Sequence, residues 1–545
     1  MKKTALISVY RKEGIEKFAR SLVDLGWEII SSGGTAKYLA EQGVKVRDVA
    51  ELVGGKAILG HRVVTLSREI HAGLMARKGN KGDMEELGRL GIPFIDLVCV
   101  DLYPLKEAIA KPDANYESVI ESTDVGGPTL LRSAAKGGRI VICDPEDRVR
   151  VIGEMRETGE IGEGKRIELA AKAEYVVARY CLESTKFHSK ERYTGMIGEQ
   201  VLETLYGENA YQTPGKLYSL KSDDPLTLPK FQVLTDMAPS YNNLCDIDRM
   251  LQTLTHIAAA FEINKIPTKY FGVAVKHGNC CGASYGNEKF EVIKEVIEGD
   301  PRAIFGGLVM FNFEIGEKEA EILLTHLMNE GQRRLLDGIV APAFAKKAIK
   351  LTRRKKDKCR LIANPELAKL KKDGLDTAKR FRYVRGGFLT QPNYGFVLDF
   401  ESPEVKIYGP PASLREQARL RSVAGGGDLL LAWAICATSN SNTITLAKNG
   451  KLIGNGVGQQ DRVGCCELAI RRAQDAGHKI QGALAASDSF FPFPDGPKTL
   501  IDAGIKTIFA TSGSARDGEV QKLCQDEGIT LVQIPDKLAR GFFGH

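Results

Sequence analysis

The sequence predicts an α/β protein that opens with a parallel-sheet domain and continues into further α/β lobes. Three observations lead there. Apolar runs of strand length alternate with stretches of helical periodicity along most of the chain. Glycine-rich turns stand where a strand hands over to a helix. The length of 545 residues, at about 100–200 per domain, points to several domains. Hydrophobic residues make up 43% and charged residues 27%, which excludes wholly disordered and collagen-like chains. No apolar run nears the roughly 18 residues of a membrane span.

The first element is a strand at 5–9. Met1-Lys2-Lys3 ahead of it mimics the start of a signal peptide. The apolar run is short, however, and passes straight into Tyr10-Arg11-Lys12-Glu13 with no small-residue cleavage site. Ile15, Phe18, Ala19, Leu22 and Val23 fall on one helix face, which Gly26 ends. Residues 27–30, 94–100 and 139–143 read as strands, and 129–136 and 166–182 as helices. Strands alternating with helices imply a parallel sheet covered on both faces. The stretch 184–200 is polar and without periodicity, which places a domain boundary near 195 and gives domains 1–195 and 196–545. In the second, 246–261 and 287–298 read as helices, and 271–275 and 307–311 as strands. The basic segment divides this region into two lobes near 350–390. The last lobe has strands at 443–447, 482–487 and 507–510 and a helix at 461–476.

Eleven cysteines are too few for a disulfide scaffold, and no zinc-type spacing occurs. Reduced, buried thiols in a cytoplasmic protein are expected. The net charge of +7 is uneven: residues 346–385 hold 16 Lys/Arg against 4 Asp/Glu. Arg353-Arg354-Lys355-Lys356 could meet nucleic acid or an anionic cofactor. No aromatic residue interleaves with Arg353–Lys356 to stack a base, so it reads as a solvated face and no nucleic-acid partner is expected.

Four places could carry chemistry. Ser32-Gly33-Gly34-Thr35 follows a strand and opens a helix, where bare N–H groups suit a phosphate, with Ser8 and Lys12 in reach. A strand-to-helix turn needs glycine in either case, so the turn alone does not decide. Asp124-Val125-Gly126-Gly127-Pro128-Thr129 is a second such turn, followed by Arg132 and Lys136 at i, i+4. Tyr103 ends a strand, where open α/β sheets bind ligands, or else packs over the core. Lys276-His277 ends an apolar strand before a glycine-bounded loop, 278–282, and pairs a cation with a group that titrates near neutrality. Beyond them stand Ser441-Asn442, the loop 456–462, and the aromatic loop 488–493, a rigid wall for a flat heterocycle or simply a packed loop.

Ser-Gly-Gly-Thr, Leu-Tyr-Pro, Asp-x-Gly-Gly-x-Thr-Leu-Leu-Arg, Lys-His, Phe-Gly-Gly, Ser-Asn, Gly-x-Gly-Gln-x-x-Arg and Ser-Asp-x-Phe-Phe-Pro-Phe occur here in order through nearly the whole chain. In that order they resemble the AICAR transformylase/IMP cyclohydrolase family. The resemblance implies formyl transfer from 10-formyltetrahydrofolate to AICAR, then dehydrating closure of FAICAR to IMP. It implies a methylglyoxal-synthase-like first domain followed by two cytidine-deaminase-like lobes without zinc. It also implies a homodimer with the transformylase site at its interface, no metal, and no membrane partner.

By that resemblance Lys276, His277 and Asn442 serve formyl transfer, and Tyr103, Asp124 and Lys136 serve ring closure. Ser8, Lys12, Ser32, Gly33, Gly34, Thr35, Arg62, Gly126 and Gly127 would cradle one nucleotide. Tyr206, Asn243, Arg462, Asp488 and Phe491 would border the other and the folate. The chain departs from the family at several basic positions. A catalytic lysine stands as Val64, an arginine before Tyr206 as Leu205, a lysine ahead of Ser441-Asn442 as Ala437, and a C-terminal arginine as Gly541. Two other readings are a paralogue with lost or altered cyclohydrolase activity, or a non-catalytic purine-nucleotide binder. A methylglyoxal-synthase-type lyase would leave most of the chain unused.

Overall fold

The computed structural model describes residues 2–59, 62–409 and 423–543. The chain forms two compact units, Met1–Ile197 and Gly198–His545.

In the first unit, β1 (Thr4–Val9), β2 (Glu28–Ser31), β3 (Arg47–Asp48), β4 (Leu97–Asp101) and β5 (Ile140–Ile142) form a sheet in the order β3-β2-β1-β4-β5. Every neighbouring pair is parallel. Alternate residues of β1 feed two cores. Ala5, Ile7 and Val9 pack with Ile15, Phe18 and Leu22 of helix Ile15–Asp24, whereas Leu6 packs with Leu130 and Ala134 of helix Gly126–Lys136. That alternation is why the strands read as continuous apolar runs. Val23, assigned to the buried face, is 37% exposed at its rim. The helix expected at 166–182 runs from Glu163 to Ser189. Its last turns absorb the polar residues that had looked irregular.

The second unit holds a 12-stranded sheet. Its strands are β8 (Gln232–Val233), β9 (Tyr270–Lys276), β10 (Asn279–Gly286), β11 (Leu308–Phe311), β12 (Gly338–Ala341) and β13 (Arg360–Ala363), then β16 (Lys406–Tyr408), β17 (Ile444–Lys448), β18 (Lys451–Gly456), β19 (Leu484–Ser487), β20 (Thr507–Ser512) and β21 (Thr530–Pro535). The order is β16-β21-β20-β19-β17-β18-β10-β9-β11-β12-β13-β8. It is a duplication. Each half has a short strand, a long helix (Tyr241–Ile263 or Val423–Ala437), an antiparallel hairpin and three further strands, in the same sequence and the same order of neighbours. The halves join edge to edge where β10 pairs antiparallel with β18. Two hairpins, β6–β7 (Glu199–Thr204, Gly215–Ser219) and β14–β15 (Lys379–Val384, Gly387–Pro392), stand outside the sheet.

The basic segment holds β13, the last strand of the first half, and the second half begins after it with β16. Part of the segment is exposed hairpin, and Arg353 pairs with Asp236 and Asp357. The two long helices pack on one face of the sheet with Phe271, Val273 and Val275 of β9 and Leu484 and Ala486 of β19. The intervening Ala274 and Ala485 face outer helices on the other side. Residues 429–437 are buried on every side, as for a helix inside a core.

His256 stacks on Tyr394 in this core, with ring centroids 5.4 Å apart, and lies beside Trp433. Burial pushes its pKa down to about 4 from 6.5. The unfolded chain therefore binds the proton first on acidification, so stability present at neutral pH is lost as pH falls from about 6.5 towards 4. Denaturant titrations between pH 7.5 and pH 5, to be run at roughly those limits, should show a falling unfolding free energy. His256→Gln should flatten that slope.

Candidate functional site

In the first unit the strand order reverses direction between β1 and β4, and the crevice beyond their carboxyl ends is the ligand position of open α/β sheets. The chain leaving β1 is fixed there. The Tyr10 N–H donates to the Asp101 carbonyl (3.1 Å) and the Arg11 N–H to the Asp101 carboxylate (2.9 Å). The Tyr10 and Tyr103 rings meet edge to face at 5.3 Å. Half-buried Ser8 lies in β1. Ser32 is the N-cap of helix Gly33–Glu41 and makes no side-chain cap bond, so the first-turn N–H groups of Gly33 and Gly34 are left without one. Gly33 holds φ +53°, in the left-handed region.

Two expected cradle residues are spent elsewhere. The Thr35 hydroxyl bonds the Val9 carbonyl and N–H (3.0 and 3.2 Å), tying the helix to β1 instead of facing an anion. The Lys12 ammonium lies on the Val9 and Tyr10 carbonyls, and burial lowers its pKa. Arg62 is exposed and paired with Glu121. Val64 packs into the apolar cluster with Leu6 and Ile30.

Asp124 organises the second turn. Its carboxylate accepts the Gly127 N–H at 2.8 Å and the Tyr103 N–H at 3.5 Å. A Cβ on Gly127 would lie 2.5 Å from Asp124 Oδ2, and one on Gly126 would lie 2.9 Å from Thr65 Oγ1, so both positions need glycine. Burial raises the Asp124 carboxyl, and the two N–H donors oppose it. The Asp124 N–H donates to the Tyr180 hydroxyl at 2.6 Å. Burial pushes that phenol up to about 12, so it stays protonated. Asp124, Arg132, Lys136 and Tyr180 line one cleft of about 840 Å³. Lys136 ends the helix that Gly126 begins, about 15 Å along it, so Asp124 and Lys136 stand at opposite ends of the cleft. Sequence reading missed Tyr180, which no motif marks.

In the second unit β9, β10, β18, β17 and β19 run alternately up and down. The end of β9, the start of β10, the end of β18, the start of β17 and the end of β19 therefore share one edge of the sheet. Lys276, Asn279, the 456–459 loop, Asn442 and Asp488 all sit on it. The 278–282 segment, expected as a loop, is a tight turn and the start of β10. Lys276 pairs with Asn279, leaving His277 and Gly278 at φ +54° and +71°, a two-residue hairpin turn of the primed kind. Lys276 Nζ donates to the Phe305 carbonyl at 2.7 Å. The Asp246 carboxylate accepts the Gly278 N–H at 2.6 Å, and burial raises its pKa against the pull of His277. Burial raises the neighbouring thiols, Cys280 to about 12, so neither is a ready nucleophile.

Asn442 is clasped by Gln459, whose carbonyl accepts both the Asn442 N–H (3.2 Å) and its Nδ2 (2.9 Å). Behind it, buried Asp488 accepts the Ser441 hydroxyl (2.6 Å), the Thr443 N–H (3.1 Å) and the Arg462 guanidinium. Tyr206 lies at the β6 hairpin, and its carbonyl accepts the Thr204 hydroxyl at 2.8 Å. Two expectations are corrected. Asn243 forms a capping box with Ser240 at the start of helix Tyr241–Ile263, so its side-chain carbonyl is already engaged. Phe491 is 2% exposed in the core, which leaves Phe490, under Arg540, and exposed Phe493, under Arg516, as the rings at the surface. Among the described residues no three His, Cys, Asp or Glu side chains are placed to share a metal ion.

The sequence matches the family described as AICARFT/IMPCHase bienzyme over residues 134–472 and the MGS-like domain over residues 14–129. The chain belongs to the AICARFT/IMPCHase bienzyme family. It is 36% identical over 541 residues to the bifunctional purine biosynthesis protein PurH of Bacillus cytotoxicus, covering 98% of both chains. The PurH proteins of Bacillus cereus and Bacillus anthracis match at the same identity and coverage. A crystal structure of ForH matches at 33% identity over 34% of this chain and 100% of its own, with a TM-score of 0.31, too low to carry an argument.

Within this family member the Arg462–Asp488 pair is the most deeply buried ion pair of the site, with side chains 10% and 0% exposed. Asp488→Ala should strand the guanidinium and destabilise the fold by about 3–5 kcal/mol. Chemical denaturation checks this.

Proposed function

We propose that the chain is a two-site enzyme of purine nucleotide biosynthesis, forming FAICAR from AICAR and 10-formyltetrahydrofolate in the second unit and closing it to IMP in the first. The observation that carries this reading is the convergence of Lys276, His277 and Asn442 on one sheet edge from the two halves of the duplication. In formyl transfer the 5-amino group of AICAR attacks the formyl carbon while His277 takes its proton, relayed by the carboxamide. The formyl oxygen becomes an oxyanion, which Lys276 is placed to stabilise. Collapse breaks the bond to the folate nitrogen, which leaves with a proton. Asn442, immobilised by Gln459, orients the reacting groups. In ring closure the carboxamide nitrogen bonds the formyl carbon and water leaves. Asp124, its pKa raised by burial, and Tyr103 are the groups suited to move those protons.

A homodimer with the transformylase site at its interface fits the β14–β15 hairpin outside the sheet, which leaves Tyr383 81% and Leu389 60% exposed. A reduced, cytoplasmic setting fits the cysteines, all of which are free. No described helix is long and apolar enough to cross a membrane.

Incubation with AICAR and 10-formyltetrahydrofolate should yield tetrahydrofolate and IMP. His277→Ala should lower formyl transfer by about 10²–10⁴, and Lys276→Ala by about 10²–10³. FAICAR accumulating without IMP would refute the cyclohydrolase half, and no turnover would refute the whole reading. Tyr180→Phe removes the acceptor of the Asp124 N–H and should lower kcat for FAICAR closure by about tenfold or more, the worth of one lost buried hydrogen bond. Its formyl transfer should match the parent.

A further inference from the structure

A strong concentration of unneutralised charge lies beside the transformylase edge and is used by none of the chemistry above. Two guanidinium groups lie against the Phe543 ring, Arg380 at 3.5 Å and Arg249 at 4.5 Å from its centroid. Arg380 comes from the β14–β15 hairpin within the basic segment, and Arg249 from helix Tyr241–Ile263. Arg249 is 9% exposed, yet its hydrogen bonds go to neutral acceptors, the Thr438 carbonyl and Asn440 Oδ1 (3.0 Å). Neither arginine has a carboxylate within ion-pair distance among the described residues. Asp248, Asp246 and Asp376 act on them only from farther away. Burial lowers both guanidinium pKa values, and each arginine lowers the other or is lowered by a further arginine, Arg382. Two like charges held on one ring in a partly dry site call for an anion.

The cluster is wired to the site. The Phe543 N–H donates to the Ser439 carbonyl at 2.9 Å. Arg249 holds Asn440, whose N–H reaches Asn279 Oδ1 at 3.5 Å in the turn after His277. Asn442 follows two residues on.

We propose that Arg249 and Arg380, against Phe543, form an anion site for a phosphate or carboxylate group of a ligand bound at the transformylase edge. On the functional reading above, that group is the 5′-phosphate of AICAR. The guanidinium groups supply N–H donors to phosphate oxygens, and both lie within 4.5 Å of one ring centroid.

Arg380 sits on the exposed hairpin, so Arg380→Gln should fold, which circular dichroism would confirm. Inorganic phosphate, compared with chloride at equal ionic strength, should raise the melting temperature of the parent and not of the variant. AICAR binding by calorimetry should weaken by about tenfold or more, whereas AICA riboside, which lacks the phosphate, should bind both proteins alike. An equal phosphate effect in parent and variant overturns the site. Weakened tetrahydrofolate binding with AICAR unaffected would support the site and assign it to the folate carboxylates instead. A phosphate effect confined to the parent, with neither protein binding AICAR, would uphold the anion site while refuting the substrate reading.

Discussion

The pairing of β10 with β18 is the constraint on which the second unit depends. Each half of the duplication ends in an edge strand, and an unpaired edge exposes a row of backbone donors and acceptors. Joining the two edges removes both at once. The join is reinforced by one side chain and one further backbone bond: Asn455 Nδ2 donates to the Cys280 carbonyl at 2.9 Å, and the Tyr285 N–H donates to the Gly450 carbonyl at 3.1 Å. Because the pairing is antiparallel, the hairpin turn of one half falls beside the first residues of the corresponding hairpin in the other. Lys276-His277 and Asn442 thus lie on one edge of the sheet although 164 residues of intervening sequence separate the two segments. The site is a property of the joint and exists in neither half alone.

Asp488 does the comparable work within the second half. Its carboxylate draws in Ser441, Thr443 and Arg462, while its carbonyl accepts the Gly541 N–H at 3.2 Å. One buried charge thereby fixes the loop that presents Asn442, the helix behind it and the chain's final segment. A carboxylate so buried is costly unless its lone pairs are answered, and here the answers come from the 441–443 segment and the helix begun by Arg462.

Much of this was legible in the sequence where the signal was local. Strand ends, helix starts and the turns Ser32–Thr35 and Asp124–Thr129 follow from apolar periodicity and glycine placement. Lys276-His277 stood out because an apolar strand ends in two polar residues and a glycine. What stayed hidden depends on long-range contact. Tyr180 lies 56 positions from Asp124, and Arg249 meets Phe543 only through the tertiary fold. The misreadings have local causes. Asn243 serves a capping box whose partner, Ser240, could have been found at the spacing of three. Phe490, Phe491 and Phe493 share one motif, and composition cannot say which ring turns inward. Thr35 could equally face an anion or the neighbouring strand, and the close approach of its helix to β1 selects the strand.

Two positions at which the resemblance implies a cation, Gly541 and Ala437, adjoin one another. A Cβ on Gly541 would lie 2.8 Å from the Ala437 Cβ and 2.4 Å from the Tyr394 hydroxyl. A side chain at Gly541 would collide with the present packing around Tyr394. Tyr394 is in turn the ring on which His256 stacks, which ties that packing to the core between the two long helices. Arg249 and Arg380 lie over Phe543, two positions on from Gly541. In electrostatic terms the positive charge at this edge rests on a hairpin and a buried helix. An anionic substrate responds to the field at its phosphate, whichever residues supply it, so on the proposal above the two arginines at Phe543 serve where the resemblance implies cations at Ala437 and Gly541.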